Sequence, residues 1–450
     1  MKKHAKLVSL ALAVVMSAMA LVGCGGGTSA PEGGADGEPI TITIWHTRPE
    51  SDEPTSDHQR MLAWAENYNA TNTDNIRVEI VGSKKDDAIL TAIAAGTTPD
   101  IFMGYWNTTS TWAANGALLD LTDYVNNDPN FNKDDFAQIG WDQATFDGKI
   151  YGVPFIMNTT LLYYRADLLR EAGYDAPPQT LDELKEMAIA LTKYDENGNI
   201  VQAGFIPDYP WQDNVCWPVM TGAEWIDPAT NTITFDSDPM KEAYQWQADI
   251  YNEIGYDKLI AFKDGLGTRD TAEDPLLTGK VAMTFYSELK IAPMTELGKD
   301  VEWAVCALPH SANNPETANE VMLTTNQFKI NANCAHPDEA WKVLSSLCSA
   351  ENLTSMAEGE YNQGAFYART SAVEAVKALP DATDEMKQTA DIMLSGVGRG
   401  FPNSAYVNEY LNIITENMTQ TLSGDLTVEE AAKNVQEAVQ PLADASPVTE

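Results

Sequence analysis

The sequence predicts an α/β protein in which mainly parallel sheets are flanked by helices, and three observations support this prediction. Strand and helix patterns alternate over residues 40–103, as they do where helices connect parallel strands. The chain has 450 residues, more than one hydrophobic core usually contains, so two domains are expected. Hydrophobic residues make up 44% of the chain, which is ample for globular cores.

The first elements have clear hydrophobic periodicities. Strands are predicted over 40–45, 76–81 and 99–103, and helices over 58–68 and 86–95. Gly96 is a stop signal directly after the second helix. This order of strand, helix, strand, helix and strand predicts a mainly parallel sheet covered by helices.

The segment 147–184 predicts an extended crossing between two compact units. The Asp-Gly pair at 147–148 indicates a turn, and Pro154 is compatible with the start or the edge of a strand. Residues 160–164 are β-branched, leucine or aromatic residues, which strands prefer. A capping box then begins a new helix at Thr180.

The later elements follow from similar signals. Helices are predicted over 237–254, 336–347 and 427–439, and a strand over 303–309. Thr427 and Glu430 form a second capping box. Residues 195–199 are rich in Asp, Asn and Gly, but their glycine comes too early for a calcium loop, so a tight turn is predicted. Residues 202–226 are rich in Trp and Pro and predict an irregular segment.

Residues 1–23 predict a signal peptide. Three lysines begin the chain, and the apolar run over 7–22 falls short of the ~20 residues that a membrane-spanning helix needs. The run ends in Leu-Val-Gly-Cys, which resembles a bacterial lipobox and implies cleavage before Cys24 and diacylglycerol on its sulfur. A plain secretory signal with an incidental cysteine is the alternative. Residues 24–39 are Gly-rich and predict a flexible tether.

The formal net charge of −38 excludes nucleic acid and anionic membrane surfaces as expected partners, because so negative a surface repels polyanions. The simple interpretation of this charge is a secreted protein that is kept dispersed in solution. A site for a cationic ligand is the sharper alternative.

The sequence contains no recognisable catalytic constellation, so no enzyme, cofactor or metal site is predicted. G-x-S-x-G, H-E-x-x-H, P-loop and Rossmann motifs are all absent, and nothing singles out a carboxylate pair for glycoside hydrolysis. Beyond Cys24 the cysteines form no C-x-x-C pair. Cys334 and Cys348 bracket a predicted helix and lie too far apart for a disulfide, so any pair involves Cys216 or Cys306, with free buried thiols as the alternative.

Five motifs share an order with one known family. They are AAGTTPDIFM at 94–103, NGALLDLTDYV at 115–125, YGVP at 151–154 followed by YYRADLL at 163–169, PPQTLDEL at 177–184, and GKVAM at 279–283. In this order they resemble the extracellular solute-binding proteins of bacterial ABC importers, the sugar-binding family that includes maltose-binding protein. The resemblance extends from Ile40 to Leu442.

The resemblance implies a two-lobe periplasmic-binding-protein-like fold of type II, in which each lobe is a mainly parallel sheet flanked by helices. The first lobe is expected over 40–157 and 306–352, and the second over 158–305 and 353–450. Crossings near Asn158, Trp303 and Leu353 would form the hinge between them.

Aromatic side chains are the main sign of a binding site. The chain has eleven Trp, and an aromatic ring offers a rigid apolar face to a sugar. Trp64, Trp246 and Trp341 fall within helical periodicity and are predicted to be core residues. Ligands bind outside the carboxyl ends of strands in open α/β sheets, so the candidates are residues that follow strands or lie in loops. These are Trp45, His46, Glu50, Tyr105, Trp106 and Trp217.

The family resemblance adds further candidates from the second lobe and the late turns. They are Asn158, Trp211, Gln212, Tyr286, Ser287, Glu288, Arg369 and Tyr406. Glu288 would accept hydrogen bonds from ligand hydroxyls, with a solvated loop charge as the alternative. Arg369 would either contact ligand or lock the two lobes through an ion pair.

The function implied by the resemblance is capture of a carbohydrate, expected to be an oligosaccharide, and its delivery to the permease subunits of an ABC importer. The protein would be a monomer without catalytic activity, anchored by lipid to the outer face of the cytoplasmic membrane. One alternative is the same fold binding a polyamine or another non-sugar solute, with Glu50 and Glu288 central to the site. The other is a sugar-binding surface or sensor protein that supplies no importer.

Overall fold

A computed structural model describes residues 37–54, 56–210, 214–358 and 365–446 of the chain. The elements below all lie in the compact unit that begins at Pro39. The predicted signal peptide, Cys24 and most of the predicted tether lie outside the described residues, as do Trp211 and Gln212. Within the described part, no helix is both long and apolar enough to cross a membrane.

The described residues form fifteen strands and seventeen α-helices. The strands are β1 (Ile40–Trp45), β2 (Ile76–Val81), β3 (Ile101–Tyr105), β4 (Thr145–Phe146), β5 (Lys149–Ile150), β6 (Val153–Arg165), β7 (Lys193–Tyr194), β8 (Ile200–Gln202), β9 (Ile226–Asp227), β10 (Thr232–Ile233), β11 (Met283–Ser287), β12 (Trp303–Cys306), β13 (Glu320–Ile330), β14 (Phe366–Tyr367) and β15 (Val397–Arg399). The helices are α1 (Asp57–Thr71), α2 (Asp86–Ala95), α3 (Thr109–Ala114), α4 (Thr122–Asn127), α5 (Gln138–Ala144), α6 (Ala166–Glu171), α7 (Leu181–Ala190), α8 (Cys216–Thr221), α9 (Asp238–Ile254), α10 (Tyr256–Asp264), α11 (Ile291–Leu297), α12 (Pro337–Leu347), α13 (Ala350–Glu358), α14 (Thr370–Ala378), α15 (Asp384–Ser395), α16 (Val407–Ser423) and α17 (Val428–Ala445).

Nine of these strands form one sheet. Its main path has the order β11-β6-β13-β3-β1-β2, with β12 and β14 also paired to β6 and β15 paired to β13. The pairs of β1 with β2 and β3 are parallel, as the alternating sequence pattern predicts. The pairs that β6 makes with β11, β12, β13 and β14 are antiparallel.

The long strand β6 pairs with different strands along its two halves. Its first half pairs with β13, where Thr159 lies opposite Leu323, and its second half pairs with β11, where Tyr164 lies opposite Met283. Pro154 is the second residue of β6, and the register with β13 shifts beside it, between Asn326 and Gln327. A proline has no N–H to donate, so it is tolerated at this irregular start of the strand.

The hydrophobic residues form two large cores. The first core includes Ile44 of β1, Phe155 of β6, Trp341 of α12 and Val373 of α14. The second core includes buried residues of α7, α8, α9, α16 and α17, with Trp217 and Tyr410 among its largest side chains. Buried residues between Leu353 and Met393 belong to the first core.

Most of the predicted elements are confirmed. β1, β2 and α2 have the predicted bounds, and α2 ends at Gly96 in the left-handed conformation, with φ of 68°. Both predicted capping boxes form, at Thr180 and Thr427. Trp64, Trp246 and Trp341 are buried, as their helical spacing predicts.

Two predictions of secondary structure are corrected. The segment 202–226 contains the short helix α8, whose six residues are all buried, so it has no amphipathic periodicity that a sequence pattern could reveal. The last helix does not end at Val439 but continues through Pro441 to Ala445, and buried Ala443 in this last turn packs in the second core. Cys216, Cys306, Cys334 and Cys348 are free thiols.

Candidate functional site

Two loops of the first core leave the same edge of the sheet. Because β1 and β3 are parallel neighbours, with Trp45 opposite Phe102, their carboxyl ends lie side by side. β1 leads into residues 46–56, and β3 leads into a 3-10 helix at Trp106–Thr108. This is the edge at which an open α/β sheet binds its ligands.

The loop after β1 is held by charged and polar contacts. The Arg48 guanidinium lies 2.6 Å from a carboxylate oxygen of Asp57, and the other oxygen of Asp57 accepts a hydrogen bond of 2.9 Å from the Tyr367 hydroxyl. The Glu50 carboxylate accepts a hydrogen bond of 3.0 Å from the Gly82 N–H. A Cβ at Gly82 would come within 2.7 Å of the Glu50 side chain, so glycine allows this close approach.

His46, the first residue of this loop, is fully buried beside a second histidine. Its Nε2 atom lies 2.9 Å from Nδ1 of His58, at the start of α1. Burial, with a smaller contribution from His58, lowers the pKa of His46 to about 4. His46 is therefore neutral at pH 7. Its buried ring connects the start of the loop to His58 of α1 and is not exposed to a ligand.

A cavity of about 730 Å³ opens between this loop and the end of β11. The lining residues come from three parts of the chain. The loop after β1 and the start of α1 contribute Arg48, Pro49, Ser51, Ser56 and Asp57, and the end of β11 and the segment after it contribute Tyr286, Ser287, Leu289, Lys290, Ala292, Pro293 and Glu296. The remaining lining residues are Arg269, Asp270 and Ala365. Its size lies within the range of small-molecule sites. The cavity thus joins the two predicted residues Tyr286 and Ser287 with the loop after β1.

Several charges around the cavity are paired within the protein, whereas Glu296 in the lining makes no ion pair with the described residues. Arg48 pairs with Asp57, and the buried Lys290 ammonium pairs with both Asp270 and Asp274. A charged side chain that is already in an ion pair gains little from an ionic ligand. Its remaining hydrogen-bond donors or acceptors can still bind hydroxyl groups. The lining therefore suits an uncharged polar ligand.

Glu288 lies behind the cavity wall and is fully buried. One carboxyl oxygen accepts a hydrogen bond of 2.8 Å from the Thr159 N–H of β6, and the other oxygen has no partner among the described residues. Burial raises the pKa of Glu288 to about 8, against the opposing effects of the Thr159 N–H and the Arg48 charge. At pH 7 this side chain is mostly a neutral acid rather than the solvated carboxylate considered from the sequence.

The segment after β3 contacts the second core. Trp106 is only 8% exposed, and its ring centroid lies 6.0 Å from that of Phe401, beside α16. The Asn107 side chain donates a hydrogen bond of 2.9 Å to Asn408 of α16. Tyr105 is 47% exposed, so the Trp106 ring of this segment is buried in the second core and the Tyr105 ring is open to solvent.

The other predicted residues are distributed around this region. The partly buried Trp45 ring has the Lys84 ammonium 4.8 Å from its centroid. Asn158 lies at the centre of β6, opposite Thr324, directly before the residue that binds Glu288. Tyr406 is buried in the second core next to α16, and burial raises its pKa to about 12.

Two candidates have structural partners instead of an exposed surface. Trp217 is 1% exposed and packs against Phe205 and Trp246 in the second core. Arg369 is fully buried and donates to the backbone carbonyls of Phe131, Asn132 and Cys348, with its guanidinium also paired to Asp135. These contacts all lie within the first core or its loops, so Arg369 holds that core together.

Several residues that line the cavity are not among the binding-site candidates predicted from the sequence. Arg48 follows β1 just as His46 does, and Asp57 begins the helix after that loop, so their positions are the signal that could have identified them. Lys290 and Ala365 carry no such signal, because only the fold brings them to the cavity. In the described part of the chain, no group of three or more His, Cys, Asp or Glu side chains could hold a metal ion.

Comparison with known proteins gives one family match. The model of the family described as bacterial extracellular solute-binding protein matches residues 54–354. An uncharacterized lipoprotein in the oleD 5' region of Streptomyces antibioticus is 24% identical over 382 residues, which are 79% of this chain and 75% of that protein. A maltotriose-binding protein of Pyrococcus abyssi is 30% identical over 161 residues, which are 35% of this chain and 31% of that protein.

Solved structures share the fold. The protein CpMnBP1 with mannobiose bound superposes with a TM-score of 0.73 at 22% identity, over 88% of this chain and 99% of the other. The α/β architecture and the two-lobe fold class of type II predicted from the sequence are thereby confirmed. The predicted parallel pairing is present between β1, β2 and β3, whereas β6 pairs antiparallel with its neighbours, so the sheet is mixed.

Proposed function

The chain belongs to the bacterial extracellular solute-binding proteins, and on that premise we propose that it captures an uncharged carbohydrate and delivers it to an ABC permease. The observation that supports this most directly is the cavity of about 730 Å³ between the loop after β1 and the end of β11. Arg48, Asp57, Lys290 and Asp270 are in ion pairs within the protein, while the lining hydroxyls, the guanidinium and the carboxylates, including Glu296, can bind sugar hydroxyls. An oligosaccharide is favoured, since the named relative binds maltotriose and the similar structure contains mannobiose.

The two hydrophobic cores support a division into two lobes. The crossing strands β6 and β13 pair with each other and contribute residues to the first core, while Leu162 of β6 and Met322 of β13 belong to the second. We assign the hinge to these strands. Because Leu353–Met393 groups with the first core, we assign that segment to the first lobe, and residues 401–446 to the second.

A polyamine is the less favoured ligand. A site for a polycation needs several unpaired carboxylates, but Asp57, Asp270 and Asp274 already contact cations and Glu50 accepts the Gly82 N–H, which leaves Glu296 as a cavity carboxylate without an ion pair among the described residues. The buried Glu288 is mostly neutral at pH 7 for the reason given above. The same paired charges are compatible with a neutral sugar.

The ligand assignment is tested by thermal shift of the full-length chain with mannobiose, maltotriose, monosaccharides, spermidine and short peptides. A ligand at 100 times its Kd adds ~2.7 kcal/mol of stability, which is a shift of several degrees. We expect a shift with one sugar class and its loss in Arg48→Ala, which removes the guanidinium from the cavity. The control Arg77→Ala removes an exposed arginine outside this cavity and should keep the ligand shift. A shift with spermidine alone would contradict the proposal.

We also propose that Cys24 carries the lipid anchor and that the chain itself performs no chemistry. The lipobox-like sequence and the lipoprotein relative support the anchor. In bacterial cells, the wild-type chain should sediment with membranes, whereas Cys24→Ser should move to the soluble fraction. Cys216→Ser, which changes a buried thiol, is the matched control. Equal membrane association of Cys24→Ser and wild type would exclude the anchor.

A further inference from the structure

One face of the crossing strand β13 is polar and completely buried. Thr325, Gln327 and Lys329 alternate along the strand, and each has no exposed surface. Alternate residues of a strand point to the same face, so these side chains form one polar row inside the protein. A buried ammonium is costly unless it has hydrogen-bond partners, so the position of Lys329 requires an explanation.

The partners of Lys329 lie on both sides of Trp106. Its ammonium donates hydrogen bonds of 3.2 Å to the Tyr105 carbonyl and 3.0 Å to the Thr108 hydroxyl. The Thr108 hydroxyl in turn donates to the Tyr105 carbonyl at 2.6 Å. The three groups close a ring of hydrogen bonds around the turn that contains Trp106 and Asn107.

Gly104 and Trp112 leave space for the Lys329 ammonium. A Cβ at Gly104 would lie 2.8 Å from the Thr108 hydroxyl and 3.1 Å from the Lys329 nitrogen, so a side chain there would disturb both groups. The Trp112 ring has its centroid 5.7 Å from the same nitrogen, within the range of a cation–π contact.

The polar row continues from Lys329 toward the middle of the crossing strands. The Gln327 side chain accepts a hydrogen bond of 2.7 Å from Thr109, directly after the Trp106 turn. It also donates to Thr325 at 2.9 Å, and Thr325 donates to Gln143 of α5 at 3.0 Å. The row thus joins the segment after β3 to the strand assigned to the hinge.

We propose that Lys329 is a positioning residue for the binding site, which holds the Tyr105–Thr108 turn so that the exposed Tyr105 ring faces the ligand while Trp106 stays packed on Phe401. This inference rests on the proposed function, because it takes this turn as part of the carbohydrate site. Lys329 contacts no ligand itself. Its effect on binding passes through the Tyr105 carbonyl and the Thr108 hydroxyl.

The charge of Lys329 gives a signature that a purely structural side chain would lack. Burial lowers the pKa of its ammonium to about 7, and the charge of Asp86, at the start of α2, opposes this. Asp86 itself has its pKa raised by burial, with Asp87 contributing in the same direction. The turn should therefore respond to pH near neutrality, as the ammonium loses one of its three donors.

The test measures the NMR signal of the Trp106 indole N–H in the full-length, ¹⁵N-labelled chain without ligand. This signal is assigned by its loss in Trp106→Phe. We expect Lys329→Met to shift or broaden this signal, and Lys329→Gln, which keeps a donor, to restore it in part. The wild-type signal should titrate near pH 7, and this titration should vanish in Lys329→Met. With maltotriose or mannobiose, whichever the wild type binds, Lys329→Met should weaken binding about tenfold or more.

The control Gln247→Met removes a buried polar group from the second core and should leave the Trp106 signal unchanged. An unchanged Trp106 signal in folded Lys329→Met would overturn the proposal. If that variant does not fold, a wild-type signal that stays constant from pH 6 to 9 would overturn it instead. A wild type that binds no sugar contradicts the proposed function, while the NMR signal still decides the role of Lys329.

Discussion

At the scale of single residues, the site depends on side chains that the ligand need not touch. His46 and Glu288 are both buried and both have strongly shifted pKa values, although the sequence suggested that each could meet the ligand. Glu288 binds the Thr159 N–H of the crossing strand, and His46 lies against His58. Each supports a loop or strand whose neighbours line the cavity.

Glu288 should make stability fall as pH rises from about 4.5 to 8. Burial raises its pKa to about 8 in the folded chain, from 4.5 when exposed, so the folded state keeps a proton that the unfolded state releases. Its stabilising contribution is complete below pH 4.5 and is lost by pH 8. At about 1.4 kcal/mol per pKa unit, the change is on the order of 3–5 kcal/mol.

The measurement is the free energy of unfolding in urea at pH 5 and pH 8.5. Glu288→Gln should lose the part of the pH dependence that Glu288 causes, because an amide does not titrate, while the opposite contributions of His46 and Lys329 remain in both chains. Glu53→Gln, at an exposed position, is the control and should keep the wild-type difference. The same pH dependence in Glu288→Gln and wild type would show that Glu288 does not cause it.

At the scale of elements, capping and alternation decide where helices and strands begin. α7 starts at a complete capping box, in which Thr180 accepts from the Glu183 N–H and Glu183 accepts from the Thr180 N–H. α9 starts at Ser237, whose side chain makes no capping hydrogen bond. The two helices pack together in the second core, so they offer a direct comparison.

Thr180→Ala should lower the free energy of unfolding by about 1 kcal/mol, because one N–H of the first turn loses its acceptor. Ser237→Ala should change it by much less, because no capping bond is lost. Chemical denaturation of both variants beside the wild type gives the comparison. Equal losses in the two variants would contradict the capping explanation.

At the scale of the whole molecule, two contacts connect the segment after β3 to the second core. Trp106 of the segment after β3 packs on Phe401, and Asn107 donates to Asn408 of α16. Both contacts join the edge of the sheet at β3 to the helical second core. Closure of two lobes around a ligand is a known motion of binding proteins with this architecture.

Because lobes of this architecture close around their ligand, we expect sugar to decrease the radius of gyration, which is roughly 22 Å for a compact chain of this length. Asn107→Ala should shift the ligand-free chain toward a more open form, since it loses the hydrogen bond between the cores. Asn417→Ala removes a hydrogen bond within α16 and is the control. Small-angle X-ray scattering with and without sugar measures both effects. Equal radii of gyration in Asn107→Ala and wild type would show that the Asn107–Asn408 hydrogen bond does not hold the chain in its more compact form.

The sequence by itself determined the class of fold, the first strands and helices, and the family. These depend on local periodicity, capping boxes and short motifs, which act over a few residues and are visible in order along the chain. It also identified the edge of the sheet after β1 and β3, because the end of a parallel strand is a local feature.

Only the tertiary structure decided which of the candidate residues meet. Trp217 and Arg369 are buried by packing from distant segments, and Glu288 lies behind the cavity wall for the same reason. Lys329 reaches the Trp106 turn only because β13 pairs with β3. Burial, charge pairing and pKa depend on contacts between residues hundreds of positions apart, and no local pattern specifies these contacts.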